Sequence, residues 1–273
     1  MTNRIAVAQA HPQIGDVPVN VATIRRLSID AHAAGARMVV FPELATTGYA
    51  FESRDELADA LSFGDGVAEI ADLSAEIGII IVTGYAQIRD GIALNKAGLF
   101  ENGELRGDYV KTHLWDTEKE LFTAGTSLPP VVDTTVGRVA LAICYDLEFP
   151  ELMRHYAVSG ADIVAAPTNW PAGFEAPTHY GPFNGEMLRA MAGASTNRMY
   201  IAIACRTGIE RGVDWVDNSC VIDPDGYPIT ALFDGEGLAM AEVDTAISRN
   251  KNISERNNVL GDRRGDLYVT DER

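Results

Sequence analysis

An α/β fold is what this sequence predicts, on three observations. Short runs of β-branched and apolar residues, sized for buried strands, alternate with stretches of helical periodicity. The segment Glu101-Asn102-Gly103-Glu104 sets Asn-Gly, a strong hairpin signal, between two strand patterns, so some neighbouring strands pair antiparallel. No low-complexity linker or fixed-period repeat interrupts the series, and the simplest organisation is one mixed domain over residues 1–273 with helices covering the sheet faces.

The elements follow in order. Arg4–Ala10 reads as a strand, Val17–Ala34 as an amphipathic helix ended by Gly35, and Met38–Phe41 as a buried strand stopped by Pro42. Asp55–Leu61 and Val67–Ile77 have helical spacing, and Ile79–Thr83 is a buried strand. Ile92–Phe100 and Leu105–Val110 are the arms of the hairpin. After a polar, turn-rich stretch from Thr112 to Pro130 come a strand (Arg138–Cys144), a helix (Glu151–Ser159), a strand (Asp162–Ala166), a helix (Gly185–Asn197) and a strand (Tyr200–Arg206). Ser219–Ile222 leads into the Asp223-Pro224-Asp225-Gly226 turn, and Ile229–Glu242 supplies the last strands. Residues 244–273 read as a polar, loop-like extension.

Composition narrows the function. With 273 residues, 47% of them hydrophobic and 22% charged, the chain can bury a large core without a metal or disulfide staple. Lys and Arg number 22 against 39 Asp and Glu, a net charge of −17 that repels nucleic acid and acidic membrane faces, so neither is expected as a partner. A small neutral substrate feels little of that field. The acidic excess reads as a surface property that favours solubility or salt tolerance. Met1-Thr2-Asn3-Arg4 leads into only a short apolar-biased stretch, Ile5 to Ala10, too short for a signal-peptide core, and no run approaches the length of a membrane span. With an odd number of cysteines (Cys144, Cys205, Cys220), the expectation is a cytoplasmic protein with reduced thiols.

Three polar residues stand where strand patterns stop: Glu43 after Val39-Val40-Phe41-Pro42, Lys111 after Tyr109-Val110, and Cys144 after Val139-Ala140-Leu141-Ala142-Ile143. Ligands of α/β sheets gather beyond the carboxyl ends of strands. Cys144 opens a tight connection into a helix, where the helix partial charge favours the thiolate; the alternative is a buried structural cysteine, which is how Cys205 and Cys220 read. Glu43 is a general base beside that thiol or a solvated loop carboxylate, and Lys111 an oxyanion-stabilising cation or a surface residue. A free thiol with a pKa near 8.5 is only about 3% ionised at neutral pH, so a nucleophilic cysteine needs such neighbours. The histidines His11, His32, His113, His155 and His179 lack metal-ligand spacing, and neither a serine nucleophile elbow nor a phosphate-binding G-x-x-x-x-G-K is present. No metal and no organic cofactor is expected.

Phe41-Pro42-Glu43-Leu44 with Thr47-Gly48-Tyr49, then Tyr109-Val110-Lys111-Thr112-His113-Leu114, then Cys144-Tyr145-Asp146-Leu147-Glu148-Phe149-Pro150-Glu151 resemble, in order, the signature segments of the nitrilase superfamily of carbon–nitrogen hydrolases. Gly160-Ala161-Asp162, Pro167-Thr168-Asn169-Trp170, Asp223-Pro224-Asp225-Gly226 and Asp262-Arg263-Arg264-Gly265-Asp266-Leu267-Tyr268 extend the resemblance over nearly the whole chain. It implies an αββα four-layer sandwich that pairs into a homodimer or larger homo-oligomer, with 244–273 at dimer contacts. It also implies Glu43 as base, Lys111 as lysine, Cys144 as nucleophile, and Glu118, before Phe122 and Gly125, as a second glutamate that positions Lys111; Glu120 is the alternative alignment.

These parts fit amide hydrolysis through a thioester on Cys144, with the oxyanion held by Lys111 and the Tyr145 main-chain N–H. Cys144-Tyr145-Asp146 resembles the amidase and carbamoylase branches rather than true nitrilases. The expected activity is that of a small-carboxamide amidase, with N-carbamoyl hydrolysis as the alternative and a non-catalytic binding protein on the same fold as the rival from another class. Tyr49, Trp115 and Trp170 line an acyl pocket or pack as core aromatics. A carbamoyl-amino-acid substrate requires a cationic clamp, for which Arg154, Arg189, Arg198 and Arg206 are the candidates. Thr196-Asn197, Cys205-Arg206 and Gly265 depart from the family pattern.

Overall fold

The structure is a computed structural model, and it describes residues 2–172, 183–232 and 234–268. His179 and residues 269–273, both part of the sequence reading, lie outside the described residues. The chain runs β1 (Thr2–Gln9), α1 (Val17–Ala33), β2 (Met38–Val40), α2 (Arg54–Leu61), α3 (Val67–Ile77), β3 (Ile80–Arg89), β4 (Ile92–Glu101), β5 (Glu104–Val110), α4 (Glu118–Leu121), β6 (Val131–Thr134) and β7 (Gly137–Leu141). A 3₁₀ turn (Cys144–Glu148) then leads to α5 (Pro150–Val158), β8 (Ile163–Thr168), α6 (Gly185–Asn197), β9 (Tyr200–Cys205), β10 (Ile209–Glu210), β11 (Val213–Asp214), β12 (Ser219–Ile222), β13 (Pro228–Leu232), β14 (Gly237–Asp244) and α7 (Thr245–Arg249).

Two six-stranded sheets result, ordered β14-β1-β2-β3-β4-β5 and β13-β12-β9-β8-β7-β6. In each, three central strands run parallel (β1-β2-β3 and β7-β8-β9) and the flanking strands are antiparallel. Both faces of the central strands are buried, so they read as continuous apolar runs. Alternation sorts their side chains: Ile5 and Val7 join a core between the sheets with Val139, Leu141, Ile163 and Ala202, whereas Ala6 and Ala8 face Ile24, Leu27, Ile70 and Leu73 of α1 and α3. Met153 and Met187 of α5 and α6 cover the second sheet. The layers are therefore helix, sheet, sheet, helix, the expected αββα sandwich.

Departures from the sequence reading have local causes. β3 continues well past Thr83 because Gly84 is not a break: a Cβ built there would stand 2.4 Å from Leu44 N and 2.5 Å from Glu43 Cα, so the missing side chain lets the strand run against the Glu43 loop. The edge strand β6 and the two-residue strands β10 and β11 are too short to show a period. α4 forms within the stretch read as turns. The extension begins with α7, capped where Asp244 accepts from Ala246 N at 3.0 Å, and it packs on its own chain, with Arg154 donating to Val259 O at 2.9 Å and Lys251 to Arg198 O at 2.7 Å.

Candidate active site

Glu43, Lys111 and Cys144 follow the carboxyl ends of β2, β5 and β7, and the sandwich brings these ends together. Two residues close the joint. Asn169, just past β8, donates from Nδ2 to the Glu43 carbonyl at 2.8 Å, and its own carbonyl accepts from Cys144 Sγ at 3.5 Å. Asp146 ties the cysteine turn to the end of β5: its Oδ2 accepts from Ile143 N and the Tyr109 hydroxyl, both at 2.9 Å, and its Oδ1 lies 2.6 Å from His113 Nδ1, whose ring stacks on Phe149 at 3.7 Å. Cys144 is held at φ +47°, a left-handed conformation that costs a non-glycine residue free energy and is found where surroundings over-determine a site. The Tyr145 main-chain N–H donates to no described residue.

Lys111 is wholly buried, with Nζ 2.6 Å from Glu43 Oε1 and 2.8 Å from the Glu118 carboxylate. The two carboxylates differ sharply. Glu118 is saturated, accepting also from the Tyr49 hydroxyl at 2.7 Å, Trp115 N at 2.9 Å and Asn95 Nδ2 at 3.4 Å. Glu43 takes Asn95 Nδ2 at 2.7 Å on Oε1, but its Oε2 is buried with no hydrogen-bond partner. Burial pushes the Glu43 carboxyl up to about 8; the Lys111 ammonium opposes that shift and the Glu118 charge adds to it. Burial alone would depress Lys111, yet the facing carboxylates of Glu118 and Glu43 outweigh it, so the lysine stays cationic. The thiol differs from the sequence expectation. Burial, then the Glu43 charge, push Cys144 well above the usual thiol range, and Lys111 offsets only part of this, so the resting group is a thiol and not a thiolate.

The aromatics divide. Trp115, Trp170 and Tyr145 stand with Asn169, Pro171 and Glu186 around a narrow cleft at Cys144 of about 10 Å³. Tyr49 and Trp115 also line a cavity of about 440 Å³ with Glu118, Phe122, Pro171 and Trp215, so Trp115 and Pro171 are walls of both spaces. Glu120 faces this cavity and takes no part in the Lys111 contacts, which fall to Glu118. None of the four arginine candidates lines either space. Arg206 is buried behind Trp215, 4.8 Å from its ring, and pairs with Glu210 at 2.8 Å; Glu210 Oε2 in turn accepts from Tyr49 N at 2.9 Å and Ala50 N at 2.6 Å, so this pair holds the Tyr49 loop. Arg154 and Arg198 are engaged by main-chain carbonyls near the extension, and Arg189 by Glu148 at 3.2 Å. Among the described residues no cluster of three or more His, Cys, Asp or Glu side chains is placed to hold a metal ion.

A model of the carbon-nitrogen hydrolase family matches residues 4–250. This chain belongs to that family. As a carbon–nitrogen hydrolase it is 32% identical over 269 residues, 97% of this chain and 98% of the relative, to a protein of Pyrococcus abyssi named nitrilase. It is 30% identical to the chloroplastic omega-amidase of Arabidopsis thaliana over 91% of this chain and 69% of that protein. Among solved structures it superposes at a TM-score of 0.79, with 26% identity over 97% of this chain and 95% of the other, on a mutant amidase of Nesterenkonia sp. AN1 that carries the acetamide moiety of fluoroacetamide on its active-site cysteine. The hydrolase's site contains three side chains to which the sequence assigned no role, Asn169 among them although it stands in the Pro167-Thr168-Asn169-Trp170 segment. Asn95 bridges the Glu43 and Glu118 carboxylates, Asn169 ties the Cys144 thiol to the Glu43 main chain, and Trp215 walls the cavity. A polar residue inside the buried stretch Ala93-Leu94-Asn95-Lys96-Ala97 was a signal for the first.

Proposed function

We propose that this hydrolase is an amidase that converts small carboxamides to carboxylate and ammonia through a thioester on Cys144. The observation that carries the reading is the asymmetry around Lys111: Glu118 is fully hydrogen-bonded and serves to hold the lysine, while Glu43 keeps one buried oxygen open and a carboxyl tuned to about 8, the range suited to a general base near neutral pH. Glu43 Oε2 takes the Cys144 proton as sulfur bonds to the amide carbon. The oxyanion forms against the Lys111 ammonium and the Tyr145 N–H. Glu43 then delivers the proton to nitrogen, the C–N bond breaks and ammonia leaves. A water that gives its proton to Glu43 attacks the thioester, the C–S bond breaks and the proton returns to sulfur.

The names of the omega-amidase and amidase relatives support the same reaction class. N-carbamoyl amino acids are the second reading, disfavoured because no arginine or lysine among the described residues lines the cavity. Ammonia release across aliphatic and aromatic amides, N-carbamoyl amino acids and nitriles tests the proposal: turnover of carboxamides is expected, and turnover of carbamoyl substrates or nitriles alone would overturn it. The reading includes a homodimer or larger homo-oligomer, supported by Val158 and Leu188, large apolar side chains half exposed on α5 and α6, which light scattering tests directly. It also includes a cytoplasmic setting, supported by three free thiols.

A further inference from the structure

We propose that the 440 Å³ cavity is an antechamber that selects amides whose far end is positively charged and discriminates against amides ending in a carboxylate. This rests on the amidase reading and names its substrate class. The cleft at Cys144 is narrow, and among the described residues Trp115 and Pro171 are the walls it shares with the larger cavity, so an acyl chain extending from the reacting carbonyl passes Trp115 into that cavity. There Trp115, Phe122 and Trp215 offer apolar and π surface, and Glu52, Asp116 and Glu120 stand exposed around it. A methylene stem packed on aromatics with an ammonium reaching carboxylates is the arrangement a lysine-like chain adopts.

The nearby cations are already engaged or lie outside the wall. Arg211 is paired with Glu56 and reaches Glu52 only at 3.9 Å; Arg206 is buried behind Trp215 with Glu210; Lys119 is exposed on α4 and does not line the cavity. Asp116 and Glu120 form no ion pair with a described residue. Lys111 is committed to Glu43 and Glu118. A carboxylate tail entering this space would lose water, find no cation among the described lining residues, and meet like charges. The net −17 of the chain adds a long-range field of the same sign.

The test uses three amides of matched length on the full chain at low ionic strength: 5-aminopentanamide (cationic), hexanamide (neutral) and 5-amino-5-oxopentanoate (anionic). The expected kcat/KM for ammonia release is at least about tenfold higher for the cation than for the anion, the effect of one favourable against one unfavourable contact at partly solvated carboxylates. In the D116N/E120Q double variant that ratio, each rate being referred to hexanamide on the same variant, falls at least about threefold. Hexanamide turnover with the anion hydrolysed as well as the cation, or a ratio unmoved in the double variant, overturns the selectivity and leaves the amidase reading standing. No ammonia from any of the three, hexanamide included, overturns both.

Discussion

Replacing Lys111 by Met keeps the volume of the side chain and removes the one charge that two buried carboxylates share. The ammonium lies 2.6 Å from Glu43 Oε1 and 2.8 Å from Glu118, and at an effective dielectric of about 20 each contact represents roughly 6 kcal/mol of Coulomb attraction. Desolvation of the three ions cancels most of that, so the loss expected from breaking the cluster on one side is about 3–5 kcal/mol. At roughly 2–4 °C per kcal/mol for a chain of this size, Tm falls by about 10 °C. The loss depends on pH in a definite direction. Glu43 already sits at about 8 against an ordinary 4.5, with the Lys111 ammonium opposing the rise, so without the lysine its carboxyl rises further. A group with a raised folded-state pKa holds its proton in the native state, so its stability contribution is complete below its unfolded value and disappears as pH climbs through the folded one. The variant's deficit is therefore smallest near pH 4.5 and largest above pH 8. Urea unfolding of both proteins at pH 5 and pH 8.5 measures it, and a Lys111→Met protein as stable as wild type at pH 8.5, or a deficit indifferent to pH, would refute the coupled three-group site.

Three further outcomes follow from the same geometry. Because the base must be unprotonated to accept the thiol proton, kcat/KM rises with pH along an apparent pKa close to 8 and drops about tenfold per unit below it; a profile flat from pH 6 to 9 contradicts Glu43 as base. Gly84→Ala sets a methyl 2.4 Å from Leu44 N and 2.5 Å from Glu43 Cα, so it displaces the Glu43 loop at a cost of about 1–3 kcal/mol and lowers kcat, and unchanged melting and turnover would show that the loop is not held by this approach. Iodoacetamide is expected to alkylate Cys144, which lines a cleft, faster than Cys205, which is fully buried within β9; peptide mapping after timed exposure checks this, and equal rates favour a non-catalytic protein on the same fold.

Much of the fold was legible because both faces of the central strands are buried, which leaves unbroken apolar runs such as Val139–Ile143 and Tyr200–Cys205 that no solvent-facing position interrupts. Glu43, Lys111 and Cys144 stood out because each is polar at the end of such a run. Asn169 was harder to assign a role, since its task depends on a partner more than a hundred positions away, and Asn95 lies inside a strand where position alone does not say that it faces two carboxylates. The direction of the Cys144 shift was misjudged for a related reason. A helix start is visible in sequence, but the burial that outweighs it is a property of the packed sandwich. Arg206 shows the same limit: in sequence it is a candidate clamp cation at the end of a strand, and only the fold puts it behind Trp215 and against Glu210.

The proposed thioester mechanism requires Cys144 as the nucleophile, and ammonia release by Cys144→Ala tests it most directly. The substitution removes one sulfur from a buried position without touching the Lys111 cluster, so the variant is expected to fold like wild type and to lose turnover by at least about 10³-fold on the best carboxamide substrate. A folded Cys144→Ala enzyme that releases ammonia at the wild-type rate would contradict the thioester mechanism and the assignment of the site.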